Sequence, residues 1–279
     1  MGGLTVLATG RTFDLQAHRG GAGLWPENSL LAFDRALALG VTTLECDVHV
    51  SADGVPVLSH ERTYAGHLIA RRTWTELAGL SSCGPEPLAT LDQLLTLVHE
   101  RGAEVGLNVE TKFDVLHAEE TAPRERFVEA VVGLLTDAGA LARTSVQSFD
   151  WAVLRLVRAA APQLRLNALS TTDRLEVDQP GASPWLAGLD IDDYDDSVAL
   201  AAASLGFDAL SPSRSSLTPD LVDQAHAAGL RVLPYTVDDA PTMRLLVDLG
   251  VDGLITNRPD VLRRVLAEAG QELPVSWPG

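Results

Sequence analysis

The sequence predicts an α/β protein: a single (β/α)8 TIM barrel with a small insertion after the second strand. Three observations carry that expectation. Eight short apolar runs each precede a longer stretch of helical periodicity, and no Pro/Ser linker or low-complexity segment divides the 279 residues. Polar residues also gather where the strand-like runs end, the face on which barrels place their chemistry. A barrel of this kind routinely uses ~250 residues as one domain, so residues 1–279 are read as one unit.

The first run, Leu15–His18, leads into Gly20-Gly21-Ala22-Gly23 and then a helix over Ser29–Leu39, capped by Asn28 or Ser29 and ended by Gly40. Thr43–Asp47 is the second strand. The segment Ser51–Pro87 is too long for a simple connection, so it is read as a hairpin (Val55–His60 after Ala52-Asp53-Gly54) plus a small insertion that shapes a site. A helix over Leu91–Arg101 follows, ended by Gly102. Glu104–Glu110 then pairs with helix Arg124–Ala138, and Thr144–Ser148 with Trp151–Ala160. After Arg165–Leu169 comes the least regular connection, Ser170–Tyr194, and the faintest helix, Ser197–Leu205. The last units are Ala209–Leu210 with Pro219–Ala228, Arg231–Thr236 with Pro241–Leu249, and Gly253–Thr256 with Asp260–Ala269. Pro219 and Pro259 stand where first-turn prolines belong, and Gly139, Gly229, Gly250 and Gly270 follow helix ends.

Composition excludes several classes of partner. With 21 Lys+Arg against 38 Asp+Glu the net charge is -17, which opposes binding to nucleic acid and to anionic membrane surfaces. No run approaches the ~18 apolar residues of a membrane span. Met1–Gly10 lacks the basic start of a signal peptide, so the expected address is cytoplasmic. Cys46 and Cys83, without CxxC spacing, suggest a reducing compartment.

Glu45 and Asp47 lie two apart on one strand and therefore share a face, while Cys46 turns to the other. Paired inward carboxylates are costly unless neutralised. Glu110 supplies a third from the next strand, and three carboxylates plus water suit a hard divalent cation, Ca²⁺ or Mg²⁺, better than Zn²⁺. Lys112 is the only lysine in the chain; beside a metal its compact ammonium could hold a phosphate oxygen. His18 and Arg19 end the first strand, and His60 ends the hairpin. Two histidines facing each other across the mouth could divide proton removal and leaving-group protonation, with the arginine clamping phosphate. Two other motifs fail: Gly20–Gly23 has Pro26 in place of the third glycine of a dinucleotide loop, and Asp190–Asp196 lacks the Gly and Glu of a calcium loop, so it is read as solvated acidic chain.

Taken in order, His18-Arg19-Gly20, Pro26-Glu27-Asn28-Ser29, Glu45-Cys46-Asp47, Asp53-Gly54, His60-Glu61, Glu110-Thr111-Lys112, Gln147-Ser148-Phe149, Tyr235-Thr236-Val237 and Asp252 to Pro259 resemble the glycerophosphodiester phosphodiesterase family. The resemblance spans roughly residues 14–265. It implies a (β/α)8 barrel that hydrolyses glycerophosphodiesters to sn-glycerol 3-phosphate and an alcohol with a divalent cation. Carried over residue by residue, it implies Glu45, Asp47 and Glu110 as metal ligands, His18 and His60 as the acid–base pair, and Arg19 and Lys112 as phosphate-binding cations. Glu27, Gln147 and Tyr235 would support the site or the substrate. Three positions depart from the usual pattern: Glu61 for Asp, Tyr235 for Trp and Asn257 for Asp. They bear on substrate fit more than on the reacting groups. Two other readings compete: a phospholipase of the C or D type, which would need a basic amphipathic or aromatic membrane-docking stretch, and a non-catalytic phosphate-binding barrel, which would have lost a histidine or carboxylate. Neither mark is found.

Overall fold

The computed structural model describes residues 12–80, 85–179 and 181–278. Eight parallel strands run in the order seventh, sixth, fifth, fourth, third, second, first, eighth. In chain order they are Asp14–Ala17, Thr43–Val50, Gly106–Thr111, Thr144–Ser148, Arg165–Ser170, Ala209–Pro212, Arg231–Val232 and Gly253–Thr256. Each is followed by a helix, and the eight expected helices are all present within two residues of their expected ends. Three backbone bonds tie the seventh strand region to the eighth: Asp252 N to Val232 O, Ile255 N to Pro234 O and Val237 N to Ile255 O. They bring the two ends of the strand order together.

The seventh strand corrects the sequence reading. Arg231–Thr236 was expected throughout, but the regular strand is Arg231–Val232. Pro234 has no amide proton and interrupts the ladder. The chain still tracks the sixth strand, through Leu233 N to Leu210 O and Tyr235 N to Pro212 O.

Side chains alternate along the strands and sort two environments. Leu15, Leu44, Cys46, Val48, Leu107, Val109, Val146, Leu166, Leu210 and Leu254 face the helices and form the main core. The opposite face supplies Gln16, Glu45, Asp47, Asn108, Glu110, Ser145, Gln147 and Asn167, all buried. The lumen on the side of the first five strands is therefore polar. Burying such groups is tolerable because they are bonded to one another: Asn108 Nδ2 donates to both Gln16 Oε1 and Gln147 Oε1, at 2.8 Å each, and Asn108 Oδ1 accepts from Ser145 Oγ and Asn167 Nδ2.

The expected hairpin forms, with Pro56–Leu58 antiparallel to Val48–Val50. The rest of the insertion contains a second small hairpin (Thr63–Tyr64 with His67–Leu68) and a helix, Trp74–Ala78, begun by a capping box between Thr73 and Glu76. Val57, Ile69 and Leu77 give it a small core of its own. Among its described residues, connection 170–194 holds two 3₁₀ turns, Thr172–Arg174 and Ile191–Tyr194, and no longer helix or strand. There Asp190 and Asp192 accept from backbone amides, including those of Gly181 and Asp178, so the acidic run organises the loop. Cys46 is buried and free; Cys83 and Met1–Gly10 lie outside the described residues. Among the described residues no helix is long and apolar enough to cross a membrane.

Candidate active site

Strand register brings the acidic residues together. Asp47 pairs with Glu110 and Glu45 with Asn108 across the second and third strands, while Glu110 pairs with Gln147 across the third and fourth. One oxygen each from Glu45, Asp47 and Glu110 lies within 4.8 Å of the others, the one such grouping among the described residues. Glu45 and Asp47 are wholly buried and Glu110 nearly so.

Each carboxylate is held differently. Glu45 Oε1 accepts from Gln147 Nε2 at 2.9 Å and Oε2 from the Arg19 amide at 2.8 Å. Asp47 Oδ2 accepts from Asn28 Nδ2 at 2.9 Å, and Asn28 Oδ1 in turn receives the Asp47 amide. Arg19 Nε lies 2.9 Å from Asp47 Oδ2 but off the line of a hydrogen bond, so that contact is coulombic. Lys112 Nζ donates to Glu110 Oε1 at 2.9 Å and sits 3.5 Å from Asp47 Oδ1. Asp47 Oδ1 has no hydrogen-bond partner despite its burial.

Electrostatics follow from these neighbours. Burial, then the charges of Asp47 and Glu110, push Glu45 well above the carboxylate range. Burial also raises Glu110, although Lys112 opposes it. Burial works against ionisation of Asp47 too, but Lys112, Arg19, His18 and the Asn28 bond outweigh it and bring Asp47 to about 2. Two cations thus face three buried carboxylates, and one carboxylate oxygen is unpartnered. That donor set fits a hard divalent cation.

The first strand ends in a tight turn that aims the remaining groups. Arg19 adopts φ 52°, ψ 32°, a left-handed conformation, so that its amide reaches Glu45 while its guanidinium reaches Asp47 and, through Nη1 at 2.8 Å, Glu27. The next residue must be glycine: at Gly20, φ 83°, a Cβ would lie 2.7 Å from Ala32 Cβ. His18 is buried, and its Nδ1 lies 2.7 Å from Asn257 Oδ1. Burial, reinforced by Arg19, lowers its pKa to about 4, so the imidazole is neutral at pH 7. His60 lies across the second strand's hairpin with Nδ1 2.8 Å from Glu61 Oε1, and that bond lowers the Glu61 pKa.

His60, Glu110 and Lys112 line one cavity of about 520 Å³ with Phe149, Arg174 and Trp185. A larger cavity, about 830 Å³, opens at the opposite mouth among strand starts such as Gly106, Arg165 and Arg231. It is remote from the carboxylates, on the face that serves stability in barrels.

The structure therefore gathers Glu45, Asp47, Glu110, Lys112, Arg19, Glu27 and Gln147 into one bonded set. Tyr235 stands apart: its hydroxyl donates to Ser170 O at 3.1 Å and its ring meets Phe149 edge-on. Ser148, a polar strand end, turns outward and donates to Thr111 O. Sequence reasoning missed Asn28 as a partner of Asp47, Asn257 and Asp238 behind His18, and Arg174 in the cavity. Asn28 had a visible competing use as a helix cap, a task the structure gives to Ser29. Asn257 follows the eighth strand and its departure from the family pattern is expected to bear on substrate fit, whereas the structure sets it against a histidine of the proposed acid–base pair; Asp238 and Arg174 lie in loops whose approach to the mouth has no sequence period.

Comparison with known proteins agrees with this architecture. Residues 18–261 match the glycerophosphoryl diester phosphodiesterase family. A glycerophosphodiester phosphodiesterase of Caldanaerobacter subterraneus is 26% identical over 266 residues, covering 91% of this chain and 98% of that protein. The crystal structure of a glycerophosphodiester phosphodiesterase from Parabacteroides distasonis superposes with a TM-score of 0.73 at 24% identity, covering 92% of this chain and 97% of the other. An Oleispira antarctica phosphodiesterase, solved with its product sn-glycerol-3-phosphate, gives 0.72 at 22% identity, covering 90% and 96%. A match over most of its length, on a barrel of the same build, places the chain in the glycerophosphoryl diester phosphodiesterase family.

Proposed function

We propose that this barrel hydrolyses glycerophosphodiesters to sn-glycerol 3-phosphate and an alcohol. The observation that carries the reading is the buried Glu45, Asp47 and Glu110 grouping with Lys112 against it and an unpartnered Asp47 oxygen. Those three residues would hold a divalent cation, Ca²⁺ or Mg²⁺. Bound there, it would neutralise nonbridging phosphate oxygens and acidify a glycerol hydroxyl.

The chain's own groups supply the rest. Arg19 and Lys112 bind phosphate oxygens and fix the phosphorus against the histidines. His18, neutral and bonded through Nδ1, takes the glycerol hydroxyl proton on Nε2 as that oxygen attacks phosphorus. His60, its Nδ1 engaged by Glu61, gives a proton through Nε2 to the departing alcohol oxygen. The five-membered cyclic phosphate so formed is opened by water: His60 takes the water proton, and His18 returns its proton to the glycerol oxygen. Glu27 and Gln147 keep Arg19 and Glu45 in place. The work is assigned to the cytoplasm, in keeping with an acidic chain carrying two cysteines.

Release of glycerol 3-phosphate from a panel of glycerophosphodiesters, after chelation and after separate return of Ca²⁺, Mg²⁺ or Mn²⁺, tests the reading. Cation-restored release is expected. Release undiminished by chelator overturns the cation's part, and no release from any diester overturns the activity.

A further inference from the structure

Arg174 is held between two aromatic rings at the mouth of the barrel. Its guanidinium carbon lies 3.9 Å from the Phe149 ring centre and 4.0 Å from that of Trp185. Both rings are fixed from behind. Phe149 meets Tyr235 edge-on at 5.8 Å, and the Tyr235 hydroxyl is bonded to Ser170 O. Trp185 is 7% exposed, with its amide bonded to Ser183 Oγ and its carbonyl accepting the Trp151 amide. Ser183 Oγ also donates to Arg174 O, which ties the arginine's backbone to the same loop.

The other charges of this cavity are already engaged. Lys112 is with Glu110 and Asp47, Arg62 with Asp114 and Glu120, and His60 with Glu61. Arg174 alone among the cavity's basic side chains makes neither an ion pair nor a side-chain hydrogen bond with the described residues. Its faces are covered by the rings, and its N–H edge is the part left for a ligand. An Arg fork held flat is suited to a planar or multi-oxygen anion.

A pair of aromatic rings open to the cavity is also what a quaternary ammonium seeks. Here the protein's own cation fills that pair. The cavity holds His60, which the proposed reaction assigns to the leaving alcohol, together with Glu110 and Lys112 on the phosphate side, so Arg174 shares one cavity with that alcohol.

We infer that Arg174 sets the specificity for the leaving group: the Phe149–Arg174–Trp185 stack selects glycerophosphodiesters whose alcohol carries an anionic oxygen group and rejects those whose alcohol carries a quaternary ammonium. This rests on the phosphodiesterase reading of the same mouth and extends it to the headgroup.

The test compares kcat/KM on glycerophosphoinositol 4-phosphate, glycerophosphoglycerol and glycerophosphocholine in the wild-type protein, Arg174→Ala and Arg174→Lys. Wild type is expected to prefer the phosphorylated inositol diester over the choline diester by tenfold or more. Arg174→Ala, which empties the ring pair, shifts that ratio toward choline by at least tenfold while glycerophosphoglycerol, whose leaving alcohol is uncharged, changes less than threefold. Arg174→Lys keeps a cation between the rings and so keeps the rejection of choline. If the alanine variant does not fold, Arg174→Gln, which also removes the cation, takes its place and is expected to shift the ratio toward choline in the same way. An unchanged ratio in the alanine variant, choline preference in wild type, or choline acceptance by the lysine variant overturns the inference and leaves the phosphodiesterase reading standing. No turnover of any of the three diesters overturns that reading, and the inference with it.

Discussion

His18 Nδ1 lies 2.7 Å from Asn257 Oδ1, and Asn257 Nδ2 donates onward to Asp238 Oδ2 at 2.9 Å. The Asp238 carboxylate also accepts from the Asn257 amide and the Thr256 hydroxyl, so it can only turn the amide's NH2 toward itself. The hydrogen-bond network thus assigns Oδ1 to His18, the proton to Nδ1 and the free lone pair to Nε2.

Removing that orientation should cost rate rather than binding. Asn257→Leu is expected to lower kcat by about 10–100-fold, the scale seen when a supporting partner of a working side chain is lost. KM for the diester and cation affinity, measured by calorimetry, should stay within about threefold, since neither contact involves Asn257. A kcat equal to wild type would return Asn257 to a packing role.

Most of the barrel was legible because parallel strands with one face on helices read as short apolar runs with regular alternation. Thr144–Ser148 and Gly253–Thr256 have the boundaries their sequence pattern indicates. Glu45, Asp47 and Glu110 were legible for the same reason, since period two places Glu45 and Asp47 on one face and adjacency places Glu110 beside them. The Phe149–Arg174–Trp185 stack was not, because it joins residues from two loops 25 to 36 positions apart, and nothing in a linear pattern reports where loops meet. Nor was the rest of the polar lumen recognised: Asn108, Ser145 and Asn167 alternate as the carboxylates do, but single amides and hydroxyls in strand-like runs carry no charge to draw notice.

Gln147 connects that lumen to the cation-binding grouping. Its Nε2 holds Glu45 Oε1 at 2.9 Å, and its Oε1 receives Asn108. Gln147→Leu leaves Glu45 without one of its two donors and free to swing. Cation affinity by calorimetry is expected to fall about 10–100-fold, with saturating cation restoring much of the rate. If affinity is unchanged, the Arg19 amide alone suffices to aim Glu45.

Lys112 holds two carboxylates from one point, with Nζ 2.9 Å from Glu110 and 3.5 Å from Asp47. A guanidinium keeps the charge but is wider and planar, and this side chain is only 16% exposed. Lys112→Arg should therefore reduce kcat/KM about tenfold or more while the melting temperature moves little. Wild-type kcat/KM in this variant would mean that charge alone is required at residue 112.

Asn108 offers a test of the lumen itself. It makes four side-chain hydrogen bonds, giving two to Gln16 and Gln147 and accepting two from Ser145 and Asn167, and it is fully buried. Leucine keeps the branch at Cγ but is bulkier, and it removes every one of these bonds: Gln16 Oε1 and Gln147 Oε1 lose the Asn108 donor, while Asn167 Nδ2 and Ser145 Oγ keep each other. Desolvation left uncompensated costs ~1–3 kcal/mol per group, and partial rearrangement of Gln16 and Gln147 will recover some of it, so a net loss of roughly 2–5 kcal/mol is expected in denaturant unfolding. Because Gln147 is shared with Glu45, the damage should reach the site as weaker cation binding. In a double-mutant cycle, Asn108→Leu and Gln147→Leu should be non-additive, the second change costing much less once the first is made. Strict additivity would show that the amides act separately and that the lumen does not carry orientation from Asn108 to Glu45.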